Sequence, residues 1–296
     1  MADEIFETAV TVETARQLLD TQFPEYRDRS LTAVTSFGTS NTMIRLGNDL
    51  VLRFPRRKSA AEATGKEWTW LPRLAPSITL EISKPIARGE PGPEFPWHWA
   101  IYHWIEGRDL FETRDADLTR IAIDLGTFVN ELHAQDPGDG PKPGRHNSYR
   151  GVPLSQLDEA VRRAIGEAGN RVDGDRLGAI WDSALLARPA PDARWIHGDL
   201  MPTNLIAADG ALTAIIDWGQ LGVGDPAADY LPSWHVLTRE SRRVFRDVIG
   251  IDDDAWQRSR GWSLFQAILA LPYYWESNAA MVDMAQRAIT QLLADE

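Results

Sequence analysis

The chain has no cysteine. Disulfides, a thiolate nucleophile and a thiolate-bound metal are therefore excluded, and the composition suits the cytoplasm. Histidine is scarce too, six in 296 residues, with no spacing typical of a metal cluster. Every apolar run is too short or too interrupted to cross a bilayer. Met1-Ala2-Asp3-Glu4 offers neither the positive region nor the apolar stretch of a secretion signal. Bases are outnumbered, 31 against 43 acids, for a net charge of −12. Residues 1–107 hold 14 acids and 12 bases, which leaves 29 and 19 in residues 108–296, a net of −10. An acidic second part argues against a nucleic-acid partner, whose phosphates demand a basic face. It would attract a cationic small molecule, although an acidic surface also simply keeps a protein in solution. The oligomeric state has no signature in the sequence.

What is present reads in two textures. Thr11 caps a helix whose apolar face is Val12, Ala15, Leu18 and Leu19. Runs at Leu31–Thr35, Thr42–Leu46 and Leu50–Phe54, the last two joined by a Gly47-Asn48-Asp49 turn, predict a three-stranded antiparallel meander. A helix over Ala60–Leu74, weakened by Gly65, precedes strands at Leu80–Ala87 and Trp97–Ile105. Past Gly107-Arg108-Asp109 helices dominate: Asp117–Ala134, Leu154–Glu167 and Arg176–Leu186, with a Pro- and Gly-rich loop over Gln135–Gly151. Arg194–Ile196 then leads into a hairpin of Asn204–Ala207 and Leu212–Asp217 about an Asp209-Gly210 turn. From Asp225 onward the pattern is mostly helical. Periodicity by itself supports an α+β class and no more.

The chemistry concentrates in His197-Gly198-Asp199-Leu200-Met201-Pro202-Thr203-Asn204 and in Asp217-Trp218-Gly219, which closes an apolar strand. Gly198 and Pro202 keep the first segment a loop. One carboxylate to receive a hydroxyl proton, with an Asn and a second Asp to hold magnesium against a triphosphate, suffices to move a phosphoryl group onto an alcohol. Such a transition state is loose and highly charged, so positioning and electrostatics do most of the work.

The spacing H-x-D-x-x-x-x-N followed by D-x-G matches the protein-kinase catalytic loop. With Gly in second place and Trp before the last Gly, it resembles the aminoglycoside phosphotransferase family, small-molecule kinases with a protein-kinase-like fold. The match is close from His197 to Tyr230, and the order of elements upstream agrees with it. The resemblance implies two lobes. Residues 1–106 would form a small antiparallel β-rich nucleotide-binding lobe ending in the hinge. Residues 107–296 would form a larger, mainly helical lobe with the catalytic loop, magnesium site and acceptor pocket.

It also implies roles. Asp199 becomes the catalytic base, with Asn204 and Asp217 as magnesium ligands and His197 as a brace for the loop. Phe37-Gly38-Thr39-Ser40-Asn41 falls where kinases cover the phosphates, and Thr39 and Ser40 could donate hydrogen bonds there. Strand three departs from the family pattern: Val51-Leu52-Arg53-Phe54 has Arg53 where Lys is usual, and the two cations are not interchangeable. Glu67 is its expected ion-pair partner, Glu62 the alternative, while Arg45 and Lys66 are the other cations near enough to serve the phosphates. Arg56, Arg57 and Lys58 read as a solvated run. Adenine would bond backbone near His103 and Ile105.

Asp199, Trp234, Tyr274 and Glu276 are candidates for the acceptor side, along with His235 and Asp252-Asp253-Asp254, though aromatic residues there equally suit core packing. Asp229 is expected on the catalytic-loop backbone. The expected activity is transfer from ATP or GTP, with Mg2+, to a hydroxyl of an amino-bearing acceptor such as an aminoglycoside or amino sugar. A macrolide, choline-like or other metabolic alcohol remains an alternative acceptor, and a pseudokinase without turnover an alternative function.

Overall fold

The computed structural model describes residues 10–34, 40–113 and 116–295. Two compact units emerge: residues 1–106 joined by 214–220, and residues 107–213 joined by 221–296.

The first unit opens with α1 (Val12–Gln22), where the Thr11 hydroxyl accepts from the Thr14 amide at 3.1 Å. Then come β1 (Leu31–Ala33), β2 (Asn41–Leu46), β3 (Leu50–Pro55), α2 (Lys58–Leu74), β4 (Glu81–Ile82), β5 (Pro85–Gly89) and β6 (Trp99–His103). Five strands form one antiparallel sheet in the order β1-β2-β3-β6-β5. Side-chain alternation divides this sheet into two faces. Ile44, Leu46, Leu50, Leu52, Phe54, Trp99 and Ile101 pack with Ala15, Leu18 and Leu19 of α1. Val51, Ala100 and Tyr102 form a separate cluster with Met43 and Trp104, and Arg53, two residues from Val51, shares that face.

The strand expected over Leu80–Ala87 is two strands with different partners. Glu81 and Ile82 pair in parallel with Ala214 and Ile215, and the Ser83 amide still donates to the Ile215 carbonyl at 3.3 Å. Pro85 has no N–H to continue that ladder, and the chain joins β6 from there. The strand expected over Trp97–Ile105 is paired only from Trp99 to His103. The first strand ends at Ala33, and the Thr35 end of its expected span lies outside the described residues.

In the second unit, β7 (Arg108–Asp109), α3 (Leu118–His133), α4 (Asp158–Ala168) and α5 (Gly174–Leu186) precede β8 (Arg194–Ile196), β9 (Leu205–Ala208) and β10 (Ala211–Ile215). The last two residues of β10 belong to the first unit. After these follow β11 (Gly222–Gly224), α6 (Pro232–His235), α7 (Arg239–Ile249), α8 (Asp253–Tyr274) and α9 (Ala279–Leu293). Asp209 and Gly210 between β9 and β10 have φ of +51° and +77°, the left-handed pair that a two-residue hairpin turn needs. Strand β8 pairs with β11, Ile196 opposite Gly222. The helix expected over Leu154–Glu167 begins as a 3-10 turn at Leu154–Leu157 before α4 takes over. Long α8 packs against α4, α5 and α9 and forms the centre of this unit.

Candidate active site

In the second unit the loop after β8 is held from behind. Asp229, fully buried, accepts from the amides of His197 at 2.9 Å and Gly198 at 2.7 Å, the contact the sequence anticipated. His133 Nε2 lies 3.3 Å from the same carboxylate. His197 is itself buried, and its Nδ1 accepts from the Asp199 amide at 3.2 Å, so the ring braces the loop. Asp199 stays half-buried. Asn204, buried one turn on, donates from Nδ2 to the Asp199 carbonyl at 2.8 Å and to its Oδ2 at 3.2 Å. The Asn204 amide nitrogen is thus spent on Asp199, and its Oδ1 is the arm suited to a cation.

In the first unit a buried ion cluster faces the sheet. Arg53 Nη1 donates to both Glu67 oxygens at 2.9 Å, and Nη2 reaches Asp217 Oδ1 at 3.1 Å. Glu67 on α2 is fully buried and also accepts from the Tyr102 hydroxyl at 2.6 Å. The Asn41 amide, with its oxygen toward Arg53, accepts from Nε and Nη2 at 3.1 Å each. Burial opposes the charge on Arg53, but Glu67, Tyr102 and Asp217 outweigh it and hold the guanidinium above its ordinary pKa. Burial, reinforced by Glu67, pushes the Tyr102 phenol well up.

Asp217 has a φ of +58°, a left-handed conformation unusual for a residue with a side chain, and its side chain is 51% exposed. Exposure leaves oxygens of this carboxylate open to a ligand although one is already on Arg53. The segment is pinned at its other end, where Lys66 Nζ donates to the Gly219 carbonyl at 2.9 Å. Burial pulls the Lys66 pKa down to about 8, with Glu67 opposing. Neighbours Lys66 and Glu67 on α2 therefore grip the Asp-Trp-Gly segment directly and through Arg53. Arg45, the other alternative cation, lies over the Trp104 ring at 3.9 Å and pairs with Glu106 at 2.8 Å.

Among the described residues, no three His, Asp or Glu side chains cluster to hold a metal. Each unit offers one hard oxygen donor of its own: the half-exposed Asp217 side chain in the first, the Asn204 Oδ1 in the second. Oxygens of this kind suit magnesium, which keeps several waters and shares phosphate oxygens.

Other expected residues fall in varied settings. Thr39 lies outside the described residues, while Ser40 is half-buried and its carbonyl accepts from the Arg56 amide at 2.8 Å. His103 is exposed and Ile105 half-buried, and both line a cavity of about 400 Å³ with residues 75 and 78–84. Trp234 is fully buried against Trp256 with ring centroids 4.8 Å apart, so it packs the core and cannot wall an acceptor pocket. Tyr274 is half-buried at the end of α8, and Glu276 is exposed just beyond it. The acidic run at 252–254 serves α8: Asp252 caps the helix, Asp253 pairs with Arg246 and Asp254 with Arg188. Asn41, Tyr102, Arg150 and Gln266 are the contacts the sequence did not single out for these groups. Arg150 and Gln266 meet the loop across 48 and 68 residues, a separation without local signal.

A small antiparallel sheet unit with a buried Arg–Glu pair, and a mainly helical unit with a braced His-Gly-Asp loop, define an α+β fold of the protein-kinase-like, two-lobe type. The chain belongs to the Phosphotransferase enzyme family, APH, whose profile matches residues 33–262. Solved structures agree on the fold. The GDP complex of aminoglycoside 2'-phosphotransferase-IIIa is 21% identical, with a TM-score of 0.73 over 97% of this chain and 99% of that one. The apoenzyme of macrolide 2'-phosphotransferase MphH from Brachybacterium faecium is 20% identical, with a TM-score of 0.64 over 94% and 97%. The uncharacterized protein YcbJ of Bacillus subtilis (strain 168) is 26% identical over 207 residues. That match spans 62% of this chain and 62% of YcbJ, so the chain covers less than two thirds of this curated relative.

Proposed function

We propose that this phosphotransferase moves the γ-phosphoryl group of ATP or GTP, with Mg2+, onto a hydroxyl of a small amino-bearing molecule of the aminoglycoside or amino-sugar type. The observation that carries the reading is the state of Asp199. Its loop is locked by Asp229 and His197, its Oδ2 takes a hydrogen bond from Asn204, and its side chain is still half-open. A carboxylate so held can orient an alcohol and receive its proton late in transfer. Residues 1–106, with the hinge near His103 and Ile105, would take the nucleotide. Residues 107–296 would take the acceptor, with Tyr274 and Glu276 the remaining candidates beyond Asp199.

Arg53, oriented by Glu67, would supply a cation to the phosphates, with hydrogen bonds from Thr39 and Ser40. Asp217 and the Asn204 Oδ1 would hold magnesium, which when bound neutralises phosphate charge. Several observations support a cationic acceptor and a purine triphosphate. The net charge of residues 108–296 is −10. One similar solved structure is a GDP and kanamycin complex of APH(2")-IIIa, and another a gentamicin complex of APH(2")-IIa. The similar macrolide enzyme favours a second acceptor class, macrolides.

A transfer assay with magnesium and either ATP or GTP, across kanamycin, gentamicin, a macrolide and amino sugars, tests the reading. Wild type should phosphorylate an amino-bearing member, and Asp199→Asn should lose ~10²–10⁴-fold in kcat while binding magnesium–nucleotide as before. Near-normal turnover in the Asn variant would remove Asp199 from the role of base.

A further inference from the structure

We infer that Arg150 and Gln266 are positioning residues that hold the Asp199 carboxylate for the reaction. The inference rests on the reading of Asp199 as the base. Gln266, on α8, works with both ends of its amide. Its Oε1 accepts from Arg150 Nη2, while its Nε2 lies 3.4 Å from both the Gly198 carbonyl and Asp199 Oδ1. Arg150 Nε donates to that same Gly198 carbonyl at 3.1 Å. One side-chain pair therefore grips the backbone just before Asp199 and reaches the carboxylate itself. Asn204 holds Oδ2 and Gln266 approaches Oδ1, so the carboxylate plane is fixed from both sides.

The chain is shaped to deliver Arg150 there. Ser148 and Tyr149 both have positive φ, +51° and +60°, an uncommon pair for residues with side chains. Gly151 follows at +86°, where a Cβ would meet Ile196 Cδ1 at 2.7 Å and the Gly224 Cα at 3.0 Å. The turn is secured by Asn147, whose Nδ2 donates to the Arg150 carbonyl at 2.9 Å. Strain of this kind persists only where the surroundings over-determine it. Its product here is a half-buried guanidinium lying 5.1 Å over the Phe265 ring and under the catalytic loop.

Charge adds a second effect. Burial lowers the Arg150 pKa and the Asp199 charge raises it, so the two groups feel each other. The other ionisable groups around them are accounted for. His197 turns Nδ1 to the Asp199 amide, Asp229 takes amides behind the loop, and buried His235 is held neutral, with its pKa pushed down to about 4. The guanidinium thus adds an attraction to the hydrogen bonds that fix the carboxylate.

Carboxyl carbon NMR of aspartate-labelled protein at one fixed pH, with the Asp199 signal assigned by its absence from Asp199→Asn, reads this without any acceptor. Gln266→Glu and Arg150→Met should each displace that signal, and Arg150→Lys, which keeps a donor and a charge, should return most of the way to wild type. Gln266→Met should lower kcat roughly a hundredfold through misplacement, with magnesium–nucleotide affinity unchanged by calorimetry. The glutamate variant keeps size and polarity, so it reports even if the methionine variants fail to fold. A signal unmoved in folded Gln266→Glu, or in Arg150→Met where that folds, would overturn the inference. Normal turnover in Asp199→Asn would instead overturn the reading of the base, whatever the signal does.

Discussion

Arg53 is where residue chemistry decides most. A lysine offers three donors from one point, whereas the guanidinium offers five in a planar fork. Here that fork is taken up by both Glu67 oxygens, Asp217 and Asn41. The residue is thus a hub of the fold, whatever it adds as the proposed phosphate ligand. Two energies compete when it is removed. A lost charge-assisted hydrogen bond to phosphate is worth about 1.5–3 kcal/mol. Leaving Glu67 fully buried without its cation costs about 3–5 kcal/mol. Stability loss therefore exceeds the affinity loss. Arg53→Ala should unfold at distinctly lower urea concentration, and adding Glu67→Gln should recover part of the loss. An Arg53→Ala protein as stable as wild type would show the pair to be dispensable to the fold.

Two helices carry glycines of opposite meaning at the scale of the element. At Gly65 in α2 a Cβ would meet nothing within 4 Å, so Gly65→Ala should gain helix propensity unopposed, about 0.5–1 kcal/mol. At Gly126 in α3 a Cβ would lie 2.6 Å from Val248 Cγ1, at the packing of α3 on α7. Overpacking costs typically 1–3 kcal/mol, so it cancels or exceeds the propensity gain and Gly126→Ala should be destabilising. Denaturant midpoints of the two alanine variants should move in opposite directions, and a shared direction would contradict the packing argument.

His235, in α6, gives the same interior a pH dependence. It is buried, its Nε2 donates to the Ser263 carbonyl of α8 at 3.3 Å, and burial pushes its pKa from 6.5 down to about 4. The unfolded chain binds this proton first as pH falls. The contribution is therefore complete above pH 6.5 and is lost progressively down to about pH 4. Urea titrations at pH 7 and pH 4.5 should show a smaller acid loss in His235→Asn than in wild type. Equal losses would remove His235 as the cause.

For the whole molecule the charge distribution is the main lever. The net of −10 over residues 108–296 concentrates attraction for cations, and salt screens attraction beyond a Debye length of about 8–10 Å near physiological ionic strength. For the proposed aminoglycoside acceptor, the KM for kanamycin should rise severalfold between about 0.05 and 0.5 M salt. The KM for ATP or GTP should follow a different course, since that ligand is an anion and Arg53 is the cation proposed for it. A salt-independent KM for kanamycin would sever the link between the acidic surface and the acceptor. No helix among the described residues is long and apolar enough to cross a membrane.

Local pattern determined much of this. The antiparallel meander, the helix over α3 and the Asp209-Gly210 hairpin follow from alternation, 3.6-residue periodicity and turn chemistry, all of which act over a few residues. The spacing of His197, Asp199 and Asn204 was likewise legible, because neighbouring residues on a short loop must meet. Tertiary structure alone decided the rest. It split the strand expected over Leu80–Ala87 between two partners, since pairing depends on which backbone edge is open and not on side-chain pattern. Trp234 entered the core because only packing determines which of twelve tryptophans is enclosed. Glu67 was the partner expected for Arg53 from the family resemblance, but the Tyr102 hydroxyl joined the pair only through the register of β3 against β6 and the docking of α2. Arg150 and Gln266 reached Asp199 from 49 and 67 residues away, and the physical reason they escaped sequence reading is that no local interaction links them. Their meeting depends on one strained turn and on the seating of one long helix.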